Sequence, residues 1–390
     1  MNVTRLGVVG AGTMGAGIAQ LGCLGGFKVT LHDPDPQALA TGADRLQAAL
    51  AKGAGRGLWS AGDAAAASGR LATTSALGEL AGSQLVIEAA PEDLALKREL
   101  FDRLASVCGA DTVLATNTSS LPVSEIAADV EQPDRVCGMH FFNPPPLMRL
   151  VEIVAGERTS ELALASATAV ARTMDREPVR ATDAPGFIVN RCNRPFSLEA
   201  LRMLGEGFAT HSEIDAVMRD RGGYRMGPFE LMDLIGIDVN LEVARSFYRQ
   251  RPEPRWEPHP IQEELVAAGR LGRKSGRGFY EYRGGRRIEP GIEPGRQPAD
   301  PQSILERIVA QLVNEASFAA EEGVARPPDI DTAMRLGLNH PRGPFEWQRE
   351  LGADRLVEVL ETLGGSLGQA ERYRVAPGLL AAAQAASAGG

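Results

Sequence analysis

At 390 residues the chain is long enough for two or three domains, and an apolar share of 44% supports real cores. A net charge of −9 argues against a broad surface for nucleic acid or anionic membrane. Four cysteines (Cys23, Cys108, Cys137, Cys192) lack metal-ligand spacing and read as reduced core thiols, so no metal is expected. No apolar run approaches the roughly 18 residues of a membrane span. The chain opens straight into an apolar strand, so no signal peptide is expected and the cytoplasm is the expected compartment.

Leu6 to Val9 has the length of one buried strand, and Met14 to Leu24 runs without a breaker, as a helix does. Between them lies Gly10-Ala11-Gly12-Thr13-Met14-Gly15. G-x-G-x-x-G on a strand-to-helix turn is a dinucleotide fingerprint. Gly10 permits the tight turn, Gly12 lets a pyrophosphate approach the backbone, and Gly15 lets helix and strand pack closely. Thr13 and Met14 open the helix, whose free N–H groups and positive dipole end hold phosphate charge. A second strand, Lys28 to His32, ends at Asp33, 23 positions beyond Gly10. A carboxylate there accepts from the ribose hydroxyls of NAD and repels the 2′-phosphate of NADP. Pro34 follows, with no adjacent Arg to receive that phosphate, so NAD is the expected cofactor. A flavin is a further reading of the same turn.

Asp35 to Leu50 reads as a helix, and Lys52 to Gly69 is rich in Gly and Ala with Lys52 and Arg56 among them. Leu71 to Thr74 reads as a short strand and Leu85 to Ala90 as a strand ending in acid. Asp93 to Val107 predicts an amphipathic helix with Leu96, Leu100 and Leu104 on one face. Thr112 to Thr116 is a strand followed by Asn117-Thr118-Ser119-Ser120, and Val136 to Phe142 is another. This alternation predicts an α/β chain with a Rossmann-like doubly wound sheet. Ligands then lie at the carboxyl ends of the strands, where Glu88, Glu92, Asn117, Ser119 and His140 fall.

The richest stretch is His140-Phe141-Phe142-Asn143-Pro144-Pro145-Pro146 with Leu150-Val151-Glu152 beyond it. An apolar strand delivers His140. Three prolines forbid helix and force an extended turn. A second apolar strand carries Glu152. If the two strands fold back on each other, the imidazole and carboxylate meet. A carboxylate beside a histidine fixes its tautomer and favours its protonated form. That suits a base that takes a hydroxyl proton while hydride leaves for NAD. A satisfied core histidine is the blander reading of His140 taken alone.

Residues 1 to about 283 resemble the L-3-hydroxyacyl-CoA dehydrogenases. The matching segments are Gly10-x-Gly12-x-Met14-Gly15, Glu88-Ala89-x-x-Glu92, Thr116-Asn117-Thr118-Ser119-Ser120, His140-Phe141-Phe142-Asn143-Pro144, Leu150-Val151-Glu152, Pro185-Gly186-Phe187-Ile188-Val189-Asn190-Arg191, Met226-Gly227-Pro228-Phe229-Glu230 and Leu271-Gly272-Arg273-Lys274-Ser275-Gly276. The resemblance implies that His140 is the general base and Glu152 orients it. It implies that Ser119 and Asn190 bind the reacting oxygen and the substrate, with Asn143 on the substrate side. It places Glu92 and Lys97 at cofactor-contacting positions, with Asn117 beside them. It matches Lys52-Gly53 to a basic segment near the coenzyme A phosphates. Here Ala54 follows, and Arg56 is the next cation.

After Pro185 the pattern turns helical: Ile188 to Leu204, then about Ser212 to Arg219, Gly227 to Ile235, Val239 to Arg251 and Ile261 to Ala268. Arg283 to Pro301, dense in Gly, Pro and Arg, reads as a linker. Beyond it the chain repeats itself at an offset of 116 positions. Glu199-Ala200 matches Glu315-Ala316, Ile214-Asp215 matches Ile330-Asp331, and Gly227-Pro228-Phe229-Glu230 matches Gly343-Pro344-Phe345-Glu346. Position 306, which pairs with Asn190, is Glu, so the copy reads as structural. The expected division is a sheet domain over 1–184 and two tandem all-α domains over 185–296 and 297–390. The tail from Ala381 reads as featureless.

Together these features imply NAD-dependent oxidation of an L-3-hydroxyacyl-CoA, or the reverse reduction, as in fatty-acid β-oxidation. The partner is a small thioester, not nucleic acid or membrane. The repeat suggests a monomer with an internal pseudo-dimer, or a homodimer. Two other readings remain: a dehydrogenase of free 3-hydroxy acids, and a non-catalytic NAD-binding protein.

Overall fold

The computed structural model describes residues 3–288 and 297–389. The chain forms two compact units that divide between Phe187 and Ile188.

The first unit alternates as expected. It comprises β1 (Arg5–Val9), α1 (Thr13–Leu24), β2 (Lys28–His32), α2 (Pro36–Gly55), α3 (Ala61–Ser68), β3 (Leu71–Thr74), β4 (Leu85–Glu88), α4 (Leu94–Val107), β5 (Val113–Thr116), α5 (Val123–Ile126), β6 (Val136–Phe141), β7 (Leu150–Ala155), α6 (Glu161–Thr173) and β8 (Glu177–Thr182). The strands form one eight-stranded sheet in the order β3-β2-β1-β4-β5-β6-β7-β8. All neighbours are parallel except β6 and β7. β4 and β5 are buried at every position, which is why they read as unbroken apolar runs rather than alternating ones. The order reverses between β1 and β4, the switch point where such sheets bind ligands.

One local expectation is corrected in this unit. The buried face of α4 is Lys97, Phe101 and Leu104, while Leu96 is exposed. A carboxylate at the end of β4 holds the lysine inside, and hydropathy alone ranks a lysine as outward. In addition α6 and β8, which complete the sheet's far edge, went unread in the sequence.

The second unit is helical: α7 (Val189–Cys192), α8 (Arg194–Gly205), α9 (His211–Asp220), α10 (Pro228–Ile235), α11 (Ile237–Gln250), α12 (Pro260–Ala267), α13 (Pro301–Glu321), α14 (Pro327–Leu338), α15 (Pro344–Leu351), α16 (Ala353–Ser366) and α17 (Pro377–Gly389). The single helix expected from Ile188 to Leu204 is broken at Asn193, because Pro195 has no N–H to give the preceding turn. The expected linker begins instead as a hairpin, β9 (Glu281–Arg283) and β10 (Arg286–Ile288), turning through Gly284 and Gly285 at positive φ. Positions 289–296, with the boundary expected at 296, lie outside the described residues. The tail is not featureless: α17 buries Leu379 and Ala383.

The repeat is real in three dimensions. Asp215 accepts from the amides of Phe229 and Glu230, both at 2.9 Å, and Asp331 accepts from that of Phe345 at 2.8 Å. Gly227 and Gly343 make room, since a Cβ on either would lie 2.2 or 2.3 Å from that aspartate's Oδ1. Between the copies the pairs are reciprocal. Arg191 binds Glu315 at 2.8 Å and Glu322 at 3.0 Å, while Arg307 binds Glu199 at 2.6 Å and Glu206 at 2.7 Å. Each residue and its repeat mate exchange roles, which is the pattern of a two-fold interface. Both copies contribute to one hydrophobic core.

Candidate active site

The glycine turn divides its labour. A Cβ on Gly10, whose φ is +95°, would lie 2.6 Å from Ala89 O, and one on Gly15 would lie 1.7 Å from Gly10 O. Both positions are closed by backbone. A Cβ on Gly12 would meet nothing within 4 Å. The open face is therefore at Gly12, where Thr13 and Met14 begin α1 and the first-turn amides lack intrahelical partners, a cradle that fits a dinucleotide pyrophosphate. Asp33, just past β2, braces the turn: Oδ2 accepts from Ala11 N at 2.8 Å and Oδ1 from Asp35 N at 3.0 Å.

β6 and β7 are antiparallel, and their register sets His140 directly opposite Glu152. The two side chains meet at 2.6 Å, His140 Nδ1 to Glu152 Oε2, with the carboxylate fully buried and the imidazole nearly so. A carboxylate only accepts, so Nδ1 carries the hydrogen and Nε2 presents the lone pair in the neutral ring. The Phe142 and Phe187 rings flank the imidazole at centroid distances of 4.5 and 5.9 Å. The proline turn between the strands packs on α1, where a Cβ on Gly17 would stand 3.1 Å from Pro145. That contact ties the histidine strand to the dinucleotide helix.

A third cluster joins the ends of β4 and β5. Glu88 accepts from Lys97 Nζ at 2.6 Å, Ala90 N at 2.6 Å and Thr116 Oγ1 at 2.7 Å. Lys97 lies 3.4 Å from Glu92 as well. Glu92 Oε1 takes the Thr118 hydroxyl at 2.6 Å and the amides of Ser119 and Ser120 at 3.0 and 3.1 Å. Partial burial would raise the Glu92 carboxyl. The Thr118 hydroxyl, the Lys97 ammonium and the serine donors outweigh it and hold the group below its ordinary range. Asn117 Oδ1 accepts from Phe141 N at 2.8 Å, locking β5 to the residue after His140.

The structure thus brings together Glu92, Lys97, Asn117 and Ser119, and separately His140 and Glu152, with Asn143 exposed on the turn between β6 and β7. Lys52 is exposed in the last turn of α2. The glycine after it has its own packing reason: a Cβ on Gly53 would strike the Trp59 ring at 1.9 Å. Asn190 lies in the second unit, in α7, and its repeat mate Glu306 is ion-paired to Arg355 at 2.8 Å. Thr116 and Thr118 were given no role in the sequence reading, although they lie in a matching segment. The run of hydroxyls from Thr116 to Ser120, at and just past the end of β5, was the available sign.

A sheet shaped to hold a dinucleotide, with a carboxylate-backed imidazole two strands from the switch point, is dehydrogenase architecture. The chain belongs to the 3-hydroxyacyl-CoA dehydrogenase family. Residues 5–184 match that family's NAD binding domain, and its C-terminal domain matches twice, over 186–282 and 304–389. Its activity is the NAD-dependent oxidation of 3-hydroxyacyl-CoA, with NAD as cofactor. Among relatives, the 3-hydroxyadipyl-CoA dehydrogenase of Escherichia coli K12 is 37% identical, over 96% of each chain. The probable 3-hydroxybutyryl-CoA dehydrogenase of Bacillus subtilis is 40% identical over 72% of this chain and 98% of its own. A crystal structure of 3-hydroxybutyryl-CoA dehydrogenase from Escherichia coli K12 covers all of both chains with a TM-score of 0.93 and 36% identity.

Proposed function

We propose that His140 is the general base in the oxidation of a short-chain L-3-hydroxyacyl-CoA and that Glu152 orients it. The observation that carries this reading is the 2.6 Å contact between His140 Nδ1 and a fully buried Glu152 carboxylate. Bound NAD supplies the hydride acceptor. His140 Nε2 takes the 3-hydroxyl proton, and Glu152 stabilises the imidazolium that results. Ser119 holds the reacting oxygen and Asn143 the thioester, and the family resemblance gives Asn190, in the second unit, a substrate-binding role. The Glu92–Lys97 cluster fixes the Ser119 loop, and Lys52 meets the coenzyme A phosphates. In the reduction the same imidazolium returns its proton to the 3-oxygen.

The relatives' names suggest two substrates, 3-hydroxybutyryl-CoA and the longer, carboxyl-ended 3-hydroxyadipyl-CoA. Following NADH absorbance with each thioester, and with each free acid, tests the reading. Turnover of the free acids at the thioesters' rate would refute the role of coenzyme A.

We read the second unit as the two tandem domains expected, the first beginning at Ile188 rather than 185 and the second at 297, that pair within one chain and make it a monomer. The reciprocal Arg191–Glu315 and Arg307–Glu199 pairs support this. Light scattering checks it: a stable dimer at micromolar protein would overturn it. Cys23, Cys108, Cys137 and Cys192 are buried thiols outside any disulfide, which supports a cytoplasmic setting.

A further inference from the structure

α2 passes directly beneath the glycine turn. Gly42 makes the approach possible, since a Cβ there would lie 2.4 Å from Ala11 O and 2.9 Å from Ala11 Cβ. Arg45 stands three positions further on, on the same face of the helix. Its Nη1 donates to Thr13 Oγ1 at 3.2 Å. Thr13 is the first residue of α1 and adjoins Gly12, whose missing side chain leaves the open face of the cradle. Among the described residues no carboxylate stands within ion-pair distance of Arg45; the Thr13 hydroxyl is its side-chain partner. An exposed guanidinium is thus tethered at the mouth of a phosphate cradle by a neutral group.

We propose that Arg45 is a cofactor-binding residue whose guanidinium holds the dinucleotide pyrophosphate at the Gly12–Thr13 turn. A planar fork of N–H donors matches phosphate oxygens and carries a permanent charge. The hydroxyl of Thr13 keeps the side chain folded over the turn. Lys52 lies two turns along the same helix, about 10 Å away at 1.5 Å per residue. The two cations thus serve different anions: Arg45 the dinucleotide pyrophosphate and Lys52 the coenzyme A phosphates. The assignment rests on the glycine turn binding NAD.

The test measures binding of NADH and of ADP-ribose to wild type, Arg45→Gln and Arg45→Lys, together with the KM for the acyl-CoA substrate. A charge-assisted contact of this kind is worth about tenfold in affinity, so R45Q weakens NADH and ADP-ribose binding alike by about that factor. R45K falls between, because an ammonium keeps the charge without the fork. The difference shrinks in high salt, and KM for the thioester stays within twofold of wild type. R45Q binding NADH as tightly as wild type would overturn the assignment. So would a loss confined to the thioester, which would move Arg45 to the coenzyme A side. Wild type that bound neither NADH nor ADP-ribose would overturn the dinucleotide reading itself, and this assignment with it.

Discussion

Glu88 and Lys97 form a 2.6 Å ion pair whose two side chains are 0% and 1% exposed. Breaking so dry a pair leaves one charge stranded, which typically costs about 3–5 kcal/mol, whereas replacing both partners costs far less. Lys97→Met therefore lowers the unfolding temperature sharply, and Glu88→Gln with Lys97→Met restores part of the loss. Calorimetry on wild type, each single variant and the double variant reads this directly. A double variant as unstable as the sum of the singles would show that the two groups do not act as a unit.

Glu152→Gln tests the tautomer. An amide nitrogen in place of Oε2 donates to Nδ1, which forces the hydrogen onto Nε2 and removes the lone pair that takes the proton. Turnover drops about 10³–10⁴-fold, as for other orienting carboxylates of catalytic histidines. NADH affinity stays as in wild type. Stopped-flow and fluorescence titration separate the two effects, and a variant that keeps wild-type turnover ends the base assignment.

Gly12 and Gly15 predict opposite failures. A Cβ on Gly15 meets Gly10 O at 1.7 Å, so Gly15→Ala disrupts the fold of the first unit itself. A Cβ on Gly12 meets nothing, so Gly12→Ala folds with an unchanged melting curve. It still loses about tenfold or more in NADH affinity, because the methyl occupies the pyrophosphate approach. A Gly12→Ala protein that binds NADH normally would disprove the open-face assignment.

Glu322 sets an acid limit. Burial raises its carboxyl, but hydrogen bonds and charge from Arg191 and Arg251 outweigh it and hold the group down at about 2 against an ordinary 4.5. Its folded value lies below its unfolded one, so its contribution is fully present above 4.5. It is lost as pH falls from 4.5 towards 2. Glu322→Gln flattens the acid limb of a stability–pH curve in that window and leaves its slope above pH 5 unchanged. A variant with the wild-type acid limb would contradict the sign.

What could be read from the sequence was what is encoded locally. The glycine turn, Asp33 and the strands from β1 to β5 carry their structure in short windows. The meeting of His140 and Glu152 was legible because two apolar strands flank an obligate proline turn. The misreadings came from tertiary partners. Lys97 is buried only because Glu88 waits at a strand end 9 residues back. Leu96, apolar in sequence, faces outward for the same reason. Arg45 carries no local sign of its place, which Gly42 sets by bringing its helix under the turn. The break at Asn193 was the exception, since Pro195 announced it and the apolar run masked it.

The reciprocal pairs of the second unit share one backbone, so dilution cannot part them. A surface that separate subunits would have to find by collision is here met at a fixed and high local concentration. One half is then released from matching the other. Asn190 keeps a polar amide where its mate Glu306 has become a strut for Arg355, a divergence that two identical subunits, each bearing the same sequence, have no way to accumulate.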